Sequence, residues 1–265
     1  MKLFGLSFIA VLLVISVSVS KAATFTGTTW QDGEATFNVN FSVTDPTLVT
    51  SGSPDFDAAF IEAANLWNDN SSFRFNIDTS SAVDPCTQGF FSQLNGVRFS
   101  NTACGAAFQS GTLAVAQTIS SGGLAFRSGV IFNTAFTWSV YNGNLQSSSD
   151  FRRVALHELG HVIGLDHVSA TIPAIMQAFV SSIETPQDND IGGVATLYDA
   201  DGDGIGLFED NCLDIANADQ TNTDSPADNL GDACDPDIDN DGVFNDIGVD
   251  PVSYTHLTLP TILLV

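Results

Sequence analysis

Three histidines within eleven positions have the spacing of a catalytic metal site. His157 and His161 stand four residues apart, so on a helix both imidazoles project from the same face, one turn apart. Gly164 can adopt the left-handed conformation that ends a helix, and the resulting turn would return His167 to the same ion. A catalytic zinc takes three protein ligands and keeps a fourth position for water. The spacing therefore predicts a zinc site formed by three histidines.

Glu158 follows the first of these histidines and predicts hydrolytic chemistry. Three neutral imidazoles leave the zinc its full double charge, which lowers the pKa of a zinc-bound water to about 7. A neighbouring carboxylate can take a proton from that water and pass it to a leaving amine. The alternative is a buried helix with incidental histidines, but three of the four histidines in the chain belong to this motif.

The motif continues beyond the ligands and resembles that of the metzincins, in particular the matrixin-like (matrix metalloproteinase-like) peptidases. The stretch His157-Glu-Leu-Gly-His161-Val-Ile-Gly-Leu-Asp-His167 matches the HExxHxxGxxH of that group. Pro173-Ala-Ile-Met176 stands where the family has a Met-turn under the zinc, and Met176 would pack there as a core residue. The resemblance covers nearly all of residues 24–199 and implies a zinc metalloendopeptidase that acts on proteins or peptides.

Two further stretches extend the resemblance. Gly111 to Gln117 is similar to the edge strand that aligns substrate in the family, and Asp188 to Tyr198 is similar to the closing helix. A substrate would then add a strand to this edge. The resemblance also implies a pocket beside Met176 and the following segment for an apolar substrate residue. The residues assigned to the substrate strand are Leu113, Ala114, Val115 and Ala116.

The sequence also departs from the family pattern. It has no PRCGxPD-like cysteine motif, and His256 alone remains for the second, structural zinc that matrixins often hold. Ala178 stands where astacins and serralysins have a tyrosine ligand, and Val168 follows the third histidine in place of the usual Ser or Thr. We therefore expect one zinc, no thiol latency, no tyrosine ligand and a divergent branch of the family. Asp166 could orient a ligand histidine or face the solvent.

The elements that must position these residues are mixed helices and strands, typical of an α+β fold. Alternating apolar residues predict strands, and apolar residues at helical spacing predict helices. The resemblance implies a metzincin-type catalytic domain, a twisted mixed sheet with an active-site helix, followed by a core-poor acidic extension. Strands are expected at residues 35–43, 73–77, 112–119 and 129–133, helices at 54–67, 151–164 and 188–198, and a long loop at 79–110.

The N-terminus is typical of an export signal. Lys2 precedes the apolar stretch 6–19, and the small residues Ser20 and Ala22 are suited to cleavage before Ala23. A transmembrane anchor is the alternative, but the apolar run is short and ends in small residues. We expect residues 1–22 to be a signal peptide and the mature chain to be secreted to the extracellular space without a transmembrane anchor.

The four cysteines predict disulfides. An even number of cysteines in an exported chain favours bridges, and none stands in a CxxC pair that would suggest a metal or redox site. The simplest pairing is local, Cys86 with Cys104 and Cys212 with Cys234.

An acidic segment follows the catalytic region. Of the 31 acidic residues, sixteen lie from Asp199 to Asp250, with no Lys or Arg among them, so this segment would repel nucleic acid. Alternate carboxylates before a glycine can wrap a calcium ion. The segment resembles thrombospondin type 3 repeats, which implies calcium binding by residues 199–250; a disordered acidic linker is the alternative. The candidate calcium ligands are Asp199, Asp201, Asp203 and Asp210 in a first group and Asp237, Asp239 and Asp241 in a second.

The final stretch, residues 252–265, has a β-branched and apolar composition that does not continue the acidic pattern. We interpret it as a non-native tail, and expect the natural protein to continue with further repeats and a module for cell-surface attachment. The predicted organisation is thus a signal at 1–22, a catalytic domain at 23–198, calcium repeats at 199–250 and this tail.

Two other functions remain open from the sequence. One is a catalytically silent, calcium-dependent surface or adhesion protein with a metzincin-like domain. The other is a zinc hydrolase that acts on something other than peptides, because HExxH does not fix the substrate. Inactive relatives usually lose a ligand or the base, and this chain retains all four residues.

Overall fold

A computed structural model describes residues 23–45, 54–89, 92–147, 149–199, 201–205, 210–224 and 230–240. The predicted signal at 1–22, Asp241 and the tail at 252–265 lie outside the described residues. Within the described ranges, no helix has the length and apolar character needed to cross a membrane.

The predicted catalytic domain, residues 23–198 and called the catalytic region below, contains a mixed sheet of six strands. Five strands run in the order β2-β9-β5-β3-β4 with parallel pairing, and β8 pairs antiparallel with β9. The strands of this sheet are β2 (Thr29–Trp30), β3 (Glu34–Asn38), β4 (Arg74–Asp78), β5 (Asn95–Ser100), β8 (Ala114–Ser121) and β9 (Leu124–Asn133). Two small ladders accompany it, β1 (Thr24–Phe25) with β10 (Leu165–Asp166), and β6 (Thr102–Ala103) with β7 (Ala106–Ala107).

Four helices complete the described structure: α1 (Phe41–Thr44), α2 (Phe56–Asn68), α3 (Phe151–Ile163) and α4 (Asp188–Tyr198). The predicted α+β fold, with a mixed sheet and an active-site helix, is confirmed. Helix α2 begins after Asp55, whose side chain accepts a hydrogen bond from the Ala58 N–H. Helix α3 begins after Asp150, which caps the Arg152 N–H in the same way.

Buried tryptophans fix α3 to the rest of the core. The Trp67 indole on α2 donates to the Leu156 carbonyl over 2.9 Å, and the Trp30 indole donates to the Val162 carbonyl over 2.8 Å. An indole N–H that is removed from water needs such an acceptor. Because both carbonyls belong to α3, these bonds set the position of the helix that carries His157 and His161.

The strand predicted over residues 35–43 is wrong in its second half. β3 ends at Asn38, and Phe41 begins the short helix α1. The Asn40 side chain accepts from the Val43 N–H over 3.1 Å, and an Asp57 oxygen accepts from the Phe41 N–H over 2.8 Å. Local side-chain bonds thus favour a helical turn over the strand. Phe41 is fully buried, whereas Val43 is 62% exposed, although alternation had placed both on one face.

The loop predicted over residues 79–110 contains a strand of the sheet. β5 lies between β9 and β3, so it has strand neighbours on both sides. The alternation of apolar residues did not predict this strand, because several of its residues are polar. These polar residues nevertheless belong to the sheet. The Asn95 amide donates to the Thr36 carbonyl over 2.7 Å, and its oxygen accepts from the Ser128 N–H over 2.6 Å.

The contrast between Phe41 and Val43 gives a test of the fold. The Phe41 ring contacts five other aromatic rings, so we expect Phe41→Ala to lower the free energy of unfolding by about 3–5 kcal/mol. Val43→Ala is the matched control and should change it by less than about 0.5 kcal/mol, because the side chain is exposed. Urea denaturation of the two variants measures both values. Equal losses would contradict the helix at residues 41–44.

Candidate metal centre and active site

The three histidines converge at the end of α3. His157 Nε2 and His161 Nε2 each lie 3.1 Å from His167 Nε2. Zinc bonded to imidazole nitrogens at 2.0–2.1 Å in a tetrahedron holds its ligand atoms about 3.3 Å apart. The three nitrogens therefore form a donor set that fits one zinc ion. Gly164, with φ of 122°, makes the turn that brings His167 back.

Two of the imidazoles have fixed orientations. His157 Nδ1 lies 2.8 Å from the Ile175 carbonyl, and His161 Nδ1 lies 2.8 Å from the Leu165 carbonyl. Each Nδ1–H therefore donates to a backbone oxygen, which leaves the Nε2 lone pair for a metal. Burial, with a smaller contribution from the neighbouring His161, lowers the pKa of His157 to about 3. Burial also lowers the pKa of His161. Both rings are accordingly neutral at physiological pH, as metal ligands must be.

His167 is held differently. It is exposed, and Asp166 Oδ1 accepts its backbone N–H over 2.7 Å. Two roles were open for Asp166, orienting a ligand histidine or facing the solvent. Its side chain is exposed and binds the backbone N–H of His167, but it does not bind the imidazole.

Glu158 lies buried between α3 and the sheet. Burial raises its pKa to about 8, and a hydrogen bond from the Ala116 N–H opposes this shift. The side chain lines the same cleft as His157 and His167. A carboxylate whose pKa is raised toward neutrality in this position can accept a proton and release it again.

The cleft beside the histidines has a volume of about 540 Å³. Leu113 and Ala114 line it, and the Leu113 carbonyl accepts from the Asn133 N–H, so it faces β9. Because hydrogen-bonding directions alternate along a strand, Ala114 and Ala116 direct their backbone groups to the opposite edge. Val115 pairs with Ile131. Of the predicted substrate strand, Leu113 and Ala114 thus line the cleft, whereas Val115 and Ala116 do not, and the Ala116 N–H is bound by Glu158.

Met176 packs beneath α3. It is 1% exposed, and a Cβ at Gly160 would overlap its sulfur, so helix and methionine touch closely. The cleft is lined by its neighbours Ile175 and Gln177 and not by Met176 itself. The expected pocket beside Met176 is thus walled by the flanking segment.

Asp190 on α4 holds this segment and was not singled out from the sequence. Its carboxylate accepts from Ile175 N–H over 2.8 Å, Met176 N–H over 3.3 Å and Gln187 N–H over 2.8 Å. Burial raises its pKa, while these three donors lower it. The sequence offers one signal for Asp190, an acidic residue in the first turn of a helix. The free N–H groups at the N-terminus of a helix favour a negative charge there.

A buried ion-pair cluster at the start of α3 was also missed. Arg153 pairs with Asp150, the N-cap of its helix, and with Glu184 over 3.0 Å, and Arg152 pairs with Glu184 over 2.7 Å. Arg153 also lines the cleft. Sequence periodicity gives no signal for this cluster, because two arginines at the start of a helix are usually exposed.

In the acidic extension, the carboxylates of Asp199, Asp201 and Asp203 meet. One oxygen of each lies within 4.8 Å of the others. Asp201 Oδ2 is enclosed and has no partner within the described residues. Desolvation raises the pKa of Asp201, as do the neighbouring carboxylates, Asp210 among them. These oxygens are a donor set that suits a hard cation such as calcium.

The second acidic group is partly described. Asp237 and Asp239 lie in the described residues, whereas their predicted partner Asp241 lies outside them.

Both predicted disulfides are present, Cys86–Cys104 in the catalytic region and Cys212–Cys234 in the extension.

Fold and site together define an α+β protein with a three-histidine donor set for a metal and an adjacent glutamate. A model of the matrixin family (peptidase family M10) matches residues 29–199. The match spans more than half of the chain, which belongs to this family of zinc metallopeptidases. A model of the thrombospondin type 3 repeat matches residues 223–249. Asp237, Asp239 and Asp241 fall within that range, whereas the group from Asp199 to Asp210 precedes it.

The buried groups predict how the stability of the zinc-free protein depends on pH. The pKa of Glu158 is raised to about 8, so its contribution is present at low pH and is lost as the pH rises through that value. His157, with its lowered pKa, has the opposite effect, but only below its ordinary value of 6.5. Between pH 6.5 and 8, we expect the free energy of unfolding to fall by up to about 1.4 kcal/mol per pH unit.

Urea denaturation in the presence of phenanthroline measures this slope. Glu158→Gln keeps the side-chain volume and cannot ionise, so this variant should lack the slope between pH 6.5 and 8. The same slope in the variant and in the parent protein would assign the pH dependence to other groups.

Proposed function

We propose that the chain is a secreted, zinc-dependent endopeptidase in which Glu158 is the general base. The observation that carries the proposal is the convergence of three imidazoles, with His157 Nε2 and His161 Nε2 each 3.1 Å from His167 Nε2, beside a buried glutamate and a cleft of about 540 Å³. The family match supports peptide hydrolysis as the activity.

The residues of the site divide the work as follows. A zinc ion held by His157, His161 and His167 would polarise the scissile carbonyl and lower the pKa of water to about 7. Glu158 takes the proton from the attacking water and delivers it to the leaving amine. Its buried position strengthens this exchange, because a low dielectric favours the neutral acid once the proton has been transferred.

Substrate lies extended along the outer edge of β8 in this proposal. Ala114 offers backbone groups on the edge that faces the cleft, as strand addition requires. The wall of the cleft is largely apolar, with Leu113, Phe136, Val154, Ile175, Val180 and Ile183 among its residues. Arg153 adds no free charge, since Asp150 and Glu184 neutralise it. We therefore propose an apolar residue directly after the cleaved bond.

Glu158→Gln tests the role of the base. The amide cannot accept the proton, so kcat/KM should fall by about 10²- to 10⁴-fold while zinc content is unchanged. Glu34→Gln is the matched control, because Glu34 lies on β3 and bonds Asn76 outside the cleft. Hydrolysis of casein, its inhibition by phenanthroline and zinc content by elemental analysis are the measurements. Full activity in Glu158→Gln would refute the assignment.

The alternative of a silent adhesion protein predicts zinc binding without casein hydrolysis. The structure favours the enzyme, because Glu158, His157 and His167 line the cleft and His161 Nε2 lies 3.1 Å from His167 Nε2. The acidic extension is compatible with either function. We propose that it binds calcium and that the two disulfides reflect an extracellular location.

Calcium binding at the first acidic group gives a separate test. Calcium should order residues 199–250, and circular dichroism and hydrogen exchange should both change between EGTA and millimolar calcium. Asp201→Asn removes the enclosed carboxylate oxygen and should weaken calcium binding, whereas Asp32→Asn, at an exposed turn, should not. Identical exchange in EGTA and in calcium would rule out the site.

A further inference from the structure

The first described strand of the chain is bound to the segment that delivers the third histidine. β1 pairs antiparallel with β10, with Thr24 opposite Asp166 and Phe25 opposite Leu165. The Thr26 N–H continues the ladder and donates to the Gly164 carbonyl over 2.9 Å. Residues 24–26, which we call the N-terminal strap, thus follow the whole turn from the end of α3 to His167.

The strap reaches His167 directly. The Thr24 hydroxyl donates to the His167 carbonyl over 2.5 Å. His157 and His161 each have an Nδ1 bond to a backbone oxygen, but within the described residues no hydrogen bond reaches His167 Nδ1. The exposed third ligand is therefore positioned through its backbone, with Asp166 bound to its N–H and Thr24 bound to its carbonyl.

The strap also supports a second ligand. The Leu165 carbonyl accepts the His161 Nδ1–H over 2.8 Å, and Leu165 is the strand partner of Phe25. A shift of β10 would move this carbonyl together with His167. Since partners of ligands orient them and tune metal affinity, two of the three ligands depend on β1.

Helix α4 holds the strap from behind. A Cβ at Gly193 would lie 2.9 Å from both Ala23 Cβ and Leu165 Cδ2. There is thus no room between α4, the residue before the strap and β10. A close fit of this kind fixes the position of the strand in a way that an isolated two-residue ladder cannot.

We propose that the N-terminal strap is a positioning element of the metal centre, and that Thr24 is its positioning residue for His167. The Thr24 hydroxyl holds the third ligand where the other two imidazoles can share an ion with it. Metal affinity thereby depends on residues that stand more than 130 positions before the histidines in the sequence.

Thr24→Val tests the proposal, since it removes the hydroxyl at an exposed position and keeps the side-chain shape. Loss of a partner that orients a ligand typically weakens metal binding 10- to 100-fold, and we expect roughly tenfold here. Thr24→Ser retains the hydroxyl and should restore the parent affinity. Thr44→Val is the matched control, because it removes a hydroxyl-to-carbonyl bond of 3.2 Å in α1. Zinc affinity by chelator competition, and the visible spectrum of the Co²⁺-substituted protein, are measured on the full secreted chain.

A weakened affinity and an altered Co²⁺ spectrum in Thr24→Val alone would support the strap. Parent-like affinity in Thr24→Val, with or without a lower melting temperature of the metal-free protein, would overturn the proposal. An equal loss in Thr24→Val and Thr44→Val would overturn it too, because the effect would then be general. The proposal rests on the zinc centre of the proposed function, but its readout is metal binding. If the protein binds zinc but cleaves no peptide, the proposed endopeptidase activity is refuted. The strap is then still tested by the zinc affinities of the variants.

Discussion

The constraint on which the catalytic region depends is the reversal of the chain at Gly164. A helix can place two imidazoles on one face, but three donors around one ion require the third to come from outside the helix. The positive φ at Gly164 allows the chain to leave α3 and return at His167. Two tryptophans from other elements fix the helix, and β1 fixes the returning segment. The fold thus fixes both the helix before the turn and the segment after it.

Burial decides the chemistry of the residues at that turn. His157 loses its proton because a charged imidazole is poorly solvated there, and Glu158 gains affinity for a proton for the same reason. One low-dielectric environment therefore favours the uncharged form of both groups, and places a neutral ligand beside a carboxyl group of high proton affinity. Asp190 contributes from the opposite side, where it binds the N–H groups of Ile175 and Met176. The Ile175 carbonyl in turn accepts the His157 Nδ1–H, so a continuous chain of hydrogen bonds leads from α4 to the first histidine.

Chemistry was easier to read from the sequence than packing was. The spacing of His157, His161 and His167 is itself a geometric statement, so the metal site and the fold family could be predicted. β5 could not, because its polar Asn95 and Ser100 carry no alternating pattern and bond instead to neighbouring strands and loops. Phe41 was placed correctly in the core but on the wrong element, since the side chains of Asn40 and Asp57 decide the local backbone. The contacts of Thr24 and Asp190 join residues far apart in sequence, which no periodicity records.

The bridge between Cys86 and Cys104 encloses more than a surface loop. β5 lies entirely within the segment that this bond closes, 18 residues in sequence separation. In the chain-entropy view, closing a loop of this size stabilises the folded state by about 3 kcal/mol, because the unfolded chain loses freedom. β5 is also the strand between β9 and β3, and β9 pairs with β8, the strand that borders the cleft. Formation of this bond thus contributes to the stability of the sheet, and its reduction would remove that contribution from the middle strand.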